Sequence, residues 1–186
     1  MRKWVVTLTV PAMLLLVLGC QSTRTASGTT SAVAKPGSAS ATAKLEPKSG
    51  SDARGTAFFV EKDGAVTLVL EVTGLTPGEH AFHLHEKGDC SAPDATSAGG
   101  HWNPTQENHG KWGAHPFHRG DVANLVADAT GKATLTFSTP LWSVGGDPSR
   151  DVVGRALIVH AKADDFKTQP TGDAGGRVAC GVVKKD

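Results

Sequence analysis

From residue 54 onward, apolar and polar positions follow the two-residue rhythm of strands, and no long stretch repeats apolar residues at helical spacing. The run "RGTAFFVEKDGAVTLVLEVTGL" predicts two strands around a Lys62-Asp63-Gly64 turn. "AFHLH" predicts a third strand. "DVANLVADATGKATLTFS" predicts two more around Thr130-Gly131. "RALIVHA" and "RVACGVV" bring the total to at least seven. Two long irregular segments remain, 86–120 and 161–176, both rich in Gly, Pro, Asp and Asn. Structureless loops of that length inside a compact domain are usually functional. No internal repeat is present. Glycine is frequent, at 22 residues, and tyrosine is absent, a composition that leans towards an all-β domain.

The first 52 residues have a different texture. Residues 1–19, "MRKWVVTLTVPAMLLLVLG", open on Arg2 and Lys3, continue as an apolar run and end on a small residue before Cys20. This is the form of a secretory signal, too short for a comfortable membrane span. "VLGC" resembles the lipobox of bacterial lipoproteins, in which Cys20 is lipidated and becomes the new N-terminus; a plain signal peptide is the alternative. Residues 20–52 are Ser, Thr, Ala, Lys and Pro with almost no large apolar residue, and they predict a flexible tether. The expected division is therefore 1–19 signal, 20–52 lipidated cysteine and tether, 53–186 folded domain. Nineteen basic and 18 acidic residues argue against a nucleic-acid partner. The domain carries −3 against a chain total of +1, so the leader and tether are basic. Beyond Cys20, Cys90 and Cys180 are one possible pair. Export makes a disulfide the default, and buried thiols are the alternative. It would close a loop of about 90 residues, worth at most roughly 4–5 kcal/mol.

Chemistry concentrates in the histidines. There are eight, at 80, 83, 85, 101, 109, 115, 118 and 160. On a strand His83 and His85 point to one face while Leu84 points to the core. His160 ends the apolar run "ALIVH". Alone, either feature has a bland reading, as a solvent-facing edge or a satisfied core histidine. Together with a histidine-rich loop in an exported chain they point to a transition-metal site. "GGHWNP", "NHGKW" and "FHRGD" add His101, His109, His118 and Asp121. Three histidines plus one aspartate complete a closed tetrahedral zinc site, and four histidines suit Cu(II). That division needs seven histidine places where six good ones exist, so one imidazole must serve both metals.

The segments "HAFHLHEKGDCSAPDATSAGGHWNP", "NHGKWGAHPFHRGDVANLVAD", "GRALIVHAKADD" and "TGDAGGRVACGVV" resemble the copper/zinc superoxide dismutases, particularly their exported bacterial branch. The resemblance spans about residues 53–186. It implies an all-β fold, an eight-stranded antiparallel Greek-key barrel of immunoglobulin-like sandwich character with two long functional loops. It implies copper held by His83, His85, His101 and His160, and zinc held by His101, His109, His118 and Asp121, with His101 bridging as an imidazolate and serving as proton donor. Asp164 would link a copper histidine to a zinc histidine, Arg177 would attract the anion beside the copper, and Cys90–Cys180 would pin the first loop near Arg177. Thr171 matches a residue at the channel mouth or is an ordinary loop threonine. His80 matches a structural histidine, and His115 is read as an exposed loop residue.

The implied activity is dismutation of superoxide to oxygen and hydrogen peroxide by copper cycling between two oxidation states. The loop between His160 and Arg177 is shorter than in eukaryotic relatives and resembles the bacterial form. Lys87, Lys111, Lys167 and Arg119 are candidates for steering superoxide, with a solvated surface charge the simpler reading of each. The expected partners are superoxide and a membrane, through lipidated Cys20, with a monomer or homodimer left open. Gln21 after Cys20 resembles sorting to an outer membrane, with the domain facing the periplasm. A non-catalytic copper/zinc-binding envelope lipoprotein is the alternative. Inactive relatives lack copper ligands, whereas here all are present.

Overall fold

A computed structural model describes residues 38–186. Its strands are β1 (Ala39–Pro47), β2 (Arg54–Lys62), β3 (Ala65–Thr73), β4 (Gly78–His85), β5 (Asp121–Ala127), β6 (Ala133–Thr139), β7 (Ala156–His160), β8 (Arg177–Val182) and the two-residue β9 (Lys184–Lys185). They pair antiparallel in the order β5-β4-β7-β8-β1-β2-β3-β6, and β9 adds to β1. The result is an all-β, eight-stranded, nearly closed barrel. β5 and β6 are consecutive in sequence, yet each pairs elsewhere, β5 with β4 and β6 with β3. They form the two sides of the barrel's open seam.

The alternation seen in the sequence sorts side chains as expected. On β3, Val66, Leu68, Leu70 and Val72 are buried while Val69 and Glu71 face out. The Lys62–Ala65 hairpin closes through Asp63 and Gly64, both at positive φ, the conformation that a type I′ turn requires. Phe59, Leu84, Leu125, Trp142 and Leu157 fill the interior.

The tether expected over 20–52 differs from the structure at residues 39–47, which form β1. Its inward positions are Ala41, Ala43 and Leu45, all essentially buried. Alanine orders almost no side-chain freedom on burial, so an Ala-x-Ala-x-Leu stripe makes a strand from a composition that reads as linker. β1 also joins the two halves of the barrel. Ala39–Leu45 pair with β2, and Glu46–Pro47 pair with β8 opposite Cys180 and Ala179. The expected signal (1–19), Cys20 and the tether up to residue 37 lie outside the described residues.

Segments 86–120 and 161–176 are the long connections anticipated, broken only by a 3₁₀ turn at Thr96–Ala98. A third, 140–155, was not anticipated. It buries Trp142, whose indole N–H donates to Arg119 O.

Candidate metal centre

The copper ligand set is built on strands. Leu84 is buried in the core, and His83 and His85 flank it on the opposite face of β4. That outer face is also closed to water, because the loops cover it. His160 ends β7, next to β4. Pairing shifts register at Phe82/His83 and again at Val159/His160. Bulges of this kind re-aim side chains beside functional sites; here both fall at a metal ligand. An isolated bridge pairs His101 with His85 and brings the loop back onto the strand end. Gly120 makes that return possible. It accepts from Leu84 N and donates to Trp102 O, and a Cβ there would overlap Leu84 O.

The fourfold set converges through chosen nitrogens. His83 Nδ1, His85 Nε2, His101 Nε2 and His160 Nε2 are buried and have no hydrogen-bond partner among the described residues. Ligand atoms of these four histidines lie within 4.8 Å of one another. Buried polar atoms are rarely orphaned, and four converging lone pairs are what a Cu(II) ion requires. The opposite nitrogens are occupied. His83 Nε2 donates to Asp164 Oδ2 at 2.8 Å, His85 Nδ1 to Gly99 O at 2.9 Å, and His160 Nδ1 to Gly175 O at 3.3 Å. Because carbonyl and carboxylate oxygens only accept, these bonds fix the tautomer that leaves the inner nitrogen free.

The second set is His101, His109, His118 and Asp121, whose ligand atoms also lie within 4.8 Å of one another. His101 Nδ1 and His118 Nδ1 lie 2.8 and 3.1 Å from Asp121 Oδ1, and His109 Nδ1 lies 3.0 Å from Oδ2. Three imidazoles and one carboxylate form the closed donor set of a structural zinc site. Asp121 Oδ2 also accepts from Gly110 N and His118 N, which orients the carboxylate. His101 belongs to both sets, with Nε2 towards copper and Nδ1 towards zinc.

Electrostatics differ between the two sets. Burial lowers the pKa of His85 well below the ordinary value, that of His101 to about 4 and that of His160 to about 3, so these ligands stay neutral. Burial alone would lower His109 as well, but hydrogen bonds to Asp121 and Asp164 outweigh it and push its pKa up to about 9. Burial would raise Asp121 and Asp164, yet bonds from the surrounding imidazoles hold both carboxyls well below their ordinary range. Asp164 Oδ1 accepts a hydrogen bond from His109 Nε2 at 2.9 Å while Oδ2 accepts one from His83 Nε2. One carboxylate thus spans the two sets.

A family model described as copper/zinc superoxide dismutase (SODC) matches residues 53–183. The chain belongs to the copper/zinc superoxide dismutase family. It is 47% identical over 150 residues to "Superoxide dismutase [Cu-Zn]" of Caulobacter vibrioides, covering 78% of this chain and 86% of that protein. It is 40% identical over 138 residues to "Extracellular superoxide dismutase [Cu-Zn]" of Brugia pahangi, covering 69% and 68%. Among solved structures, the clock protein EA4 matches with a TM-score of 0.69 at 39% identity, over 78% of this chain and 93% of that one. The copper/zinc superoxide dismutase sites are intact here: copper at His83, His85, His101 and His160, and zinc at the second set, joined through His101.

The remaining expected residues fall as follows. Cys90 and Cys180 form a disulfide with Cα atoms 5.8 Å apart. Arg177 begins β8 opposite His160, and its guanidinium donates to Ala95 O and Gly99 O, both at 2.6 Å. Gly99 O thus holds Arg177 and the copper ligand His85 together. Thr171 is half-buried on the second loop. His80 is buried, its ring bonding His160 O and Thr76 O at 2.8 Å each. His115 is exposed beside Glu107. Lys87, Lys111 and Lys167 are exposed, whereas Arg119 donates to Leu141 O.

Three further residues escape the sequence reading. Asn124 on β5 clamps the backbone of Asp164, accepting from its N–H at 2.8 Å and donating to its O at 3.0 Å. Gln169 holds the backbone of His109 in the same way. Gly172 lies against the Asp164–His109 hydrogen bond at positive φ, where any Cβ would overlap both partners. A polar residue within the apolar run of β5 is the one signal that could have marked Asn124; Gln169 and Gly172 have none.

Proposed function

We propose that this dismutase works in the bacterial cell envelope, anchored by lipidated Cys20, and that Arg177, His101 and Asp164 have distinct parts in its turnover. The observation that carries the reading is the set of four orphaned, buried imidazole nitrogens, three on strands and the fourth, of His101, on the loop bridged to His85. When bound, copper supplies the one-electron oxidation of one superoxide to oxygen and the one-electron reduction of a second, which takes two protons to become hydrogen peroxide.

The chain's own residues do the rest. Arg177 is half-buried, fixed by two carbonyls and close to His160, so a cation faces the small anion at a set place. His101 is kept neutral by burial, and its Nε2 is the atom on which a proton can be held for transfer to peroxide. Asp164 orients His83 and His109 together, which limits rearrangement between redox states. The loops exclude water from the imidazole cluster. Export accords with the Cys90–Cys180 disulfide and with the Brugia relative's extracellular designation. The "VLGC" run at residues 17–20 supports lipidation, and Gln21 supports sorting to an outer membrane.

Fractionation of cells producing the full chain tests the reading. Superoxide-clearing activity is expected in the membrane fraction and should move to the soluble fraction in Cys20→Ser. Activity that stays with the membrane in that variant contradicts the anchor. Both metals bound with no activity in either fraction contradicts dismutation.

A further inference from the structure

The zinc ligand His109 stands within the loop segment 86–120, and no strand includes it. A lone loop residue does not hold a metal ligand in register unless its backbone is fixed. The backbone of His109 is fixed by a side chain from the other loop. Gln169 Oε1 accepts from His109 N at 2.8 Å, and Gln169 Nε2 donates to His109 O at 2.8 Å. The amide satisfies both main-chain groups of His109, as a neighbouring strand would. Segment 161–176 therefore grips His109 twice, at the ring through Asp164 Oδ1 and at the backbone through Gln169. The two grips are five residues apart on one loop, and Gly172 packs directly over the first.

We propose that Gln169 is a positioning residue for zinc: its two-point amide clamp holds His109 Nδ1 at the metal, and it couples retention of zinc to the seating of the 161–176 loop. The ligand needs both halves of the amide. The acceptor alone would leave His109 O facing a like-charged oxygen, and an alanine would leave both backbone groups to water. The copper ligands His83, His85 and His160 stand on strands, and the Gln169 amide bonds none of them.

The test is zinc release from the copper- and zinc-loaded full-length protein into a chromophoric chelator, with copper release followed in parallel. Gln169→Ala should release zinc about tenfold faster, the scale of one to two lost hydrogen bonds, with copper release unchanged. Gln169→Glu has nearly the same shape but cannot donate, and it should release zinc at least as fast as the alanine variant. Cobalt(II) placed in the zinc site should show an altered visible spectrum in both variants. A Gln169→Glu variant that keeps zinc as the wild type does would mean that Gln169 merely fills space, and the proposal fails. Equal acceleration of zinc and copper release would show a general loosening and also overturns it.

Discussion

The two halves of the metal centre are held by different means. Three of the four copper ligands, His83, His85 and His160, belong to β4 and β7, neighbouring strands each paired on both sides. Of the zinc ligands, His101, His109 and His118 stand on one long loop, and only Asp121 belongs to a strand, as its first residue. Barrel packing positions the copper ligands, since Leu84 between His83 and His85 is locked into the core. The zinc ligands depend instead on hydrogen bonds that they donate to Asp121, Asp164 and Gln169. The copper set stands mostly on strands, and the zinc set stands mostly on a loop tied down by side-chain hydrogen bonds. His101 couples the halves, and Asp164 couples them a second time.

The largest effect expected from that difference is at Asp121. Asp121→Ala removes a ligand and leaves the N–H groups of Gly110 and His118 without their acceptor. Zinc affinity should fall by more than about a hundredfold, while metal analysis still finds copper on His83, His85 and His160. Equal loss of both metals would contradict the strand-versus-loop distinction. Asp164→Asn comes next. An amide cannot accept from both imidazoles, so affinity should fall about 10- to 100-fold, and further for zinc than for copper, because His83 stays fixed on β4. Competitive metal titration reads the ratio.

Arg177→Ala should leave both metals in place and slow superoxide decay by roughly tenfold, the scale of a lost charge-assisted contact. The ionic-strength dependence of the rate should weaken with it. Unchanged kinetics would remove Arg177 from the proposed turnover.

The smallest effect is on the pH dependence of the metal-free protein. The His109 pKa is raised from 6.5 to about 9. Its contribution to stability is therefore complete below pH 6.5 and is lost as pH rises towards 9. Those of His101 and His160 are lowered from 6.5 to about 4 and about 3. The unfolded chain takes up those protons first, so stability also falls as pH drops below 6.5. The melting temperature of the metal-free protein should peak near pH 6.5. In the loaded protein the metal takes the place of the His109 proton, and the alkaline decline should vanish. A metal-free protein that gains stability between pH 6.5 and 9 would contradict the assignment at His109.

Much of this organisation was legible in the residues. Alternation over 65–73 marks β3 because its inward positions are large and apolar, and β2 is marked by Phe58, Phe59 and Val60 together with the Asp63-Gly64 turn that follows it. His83, Leu84 and His85 show their two faces through the strand period alone. β1 was hidden because its inward stripe is mostly alanine, and a packing role for alanine appears only against a partner such as β2. The metal ligands were legible because few other roles call for so many imidazoles. The residues that hold them were not. Asn124 acts on a backbone 40 positions away and Gln169 on one 60 positions away. A side-chain amide pairing with a main chain leaves no spacing rule behind. Segment 140–155 escaped for a related reason, since its largest buried side chain, Trp142, gains meaning only against Phe59, Trp112 and Phe137.

The most direct test of the central claim is superoxide decay measured by pulse radiolysis on the purified, metal-loaded protein, with copper and zinc content determined on the same sample. One copper and one zinc per chain with fast catalysed decay is the result expected of a complete centre. Full occupancy of both sites with decay no faster than in the metal-free protein would contradict it, and would leave a metal-binding protein built on a dismutase fold.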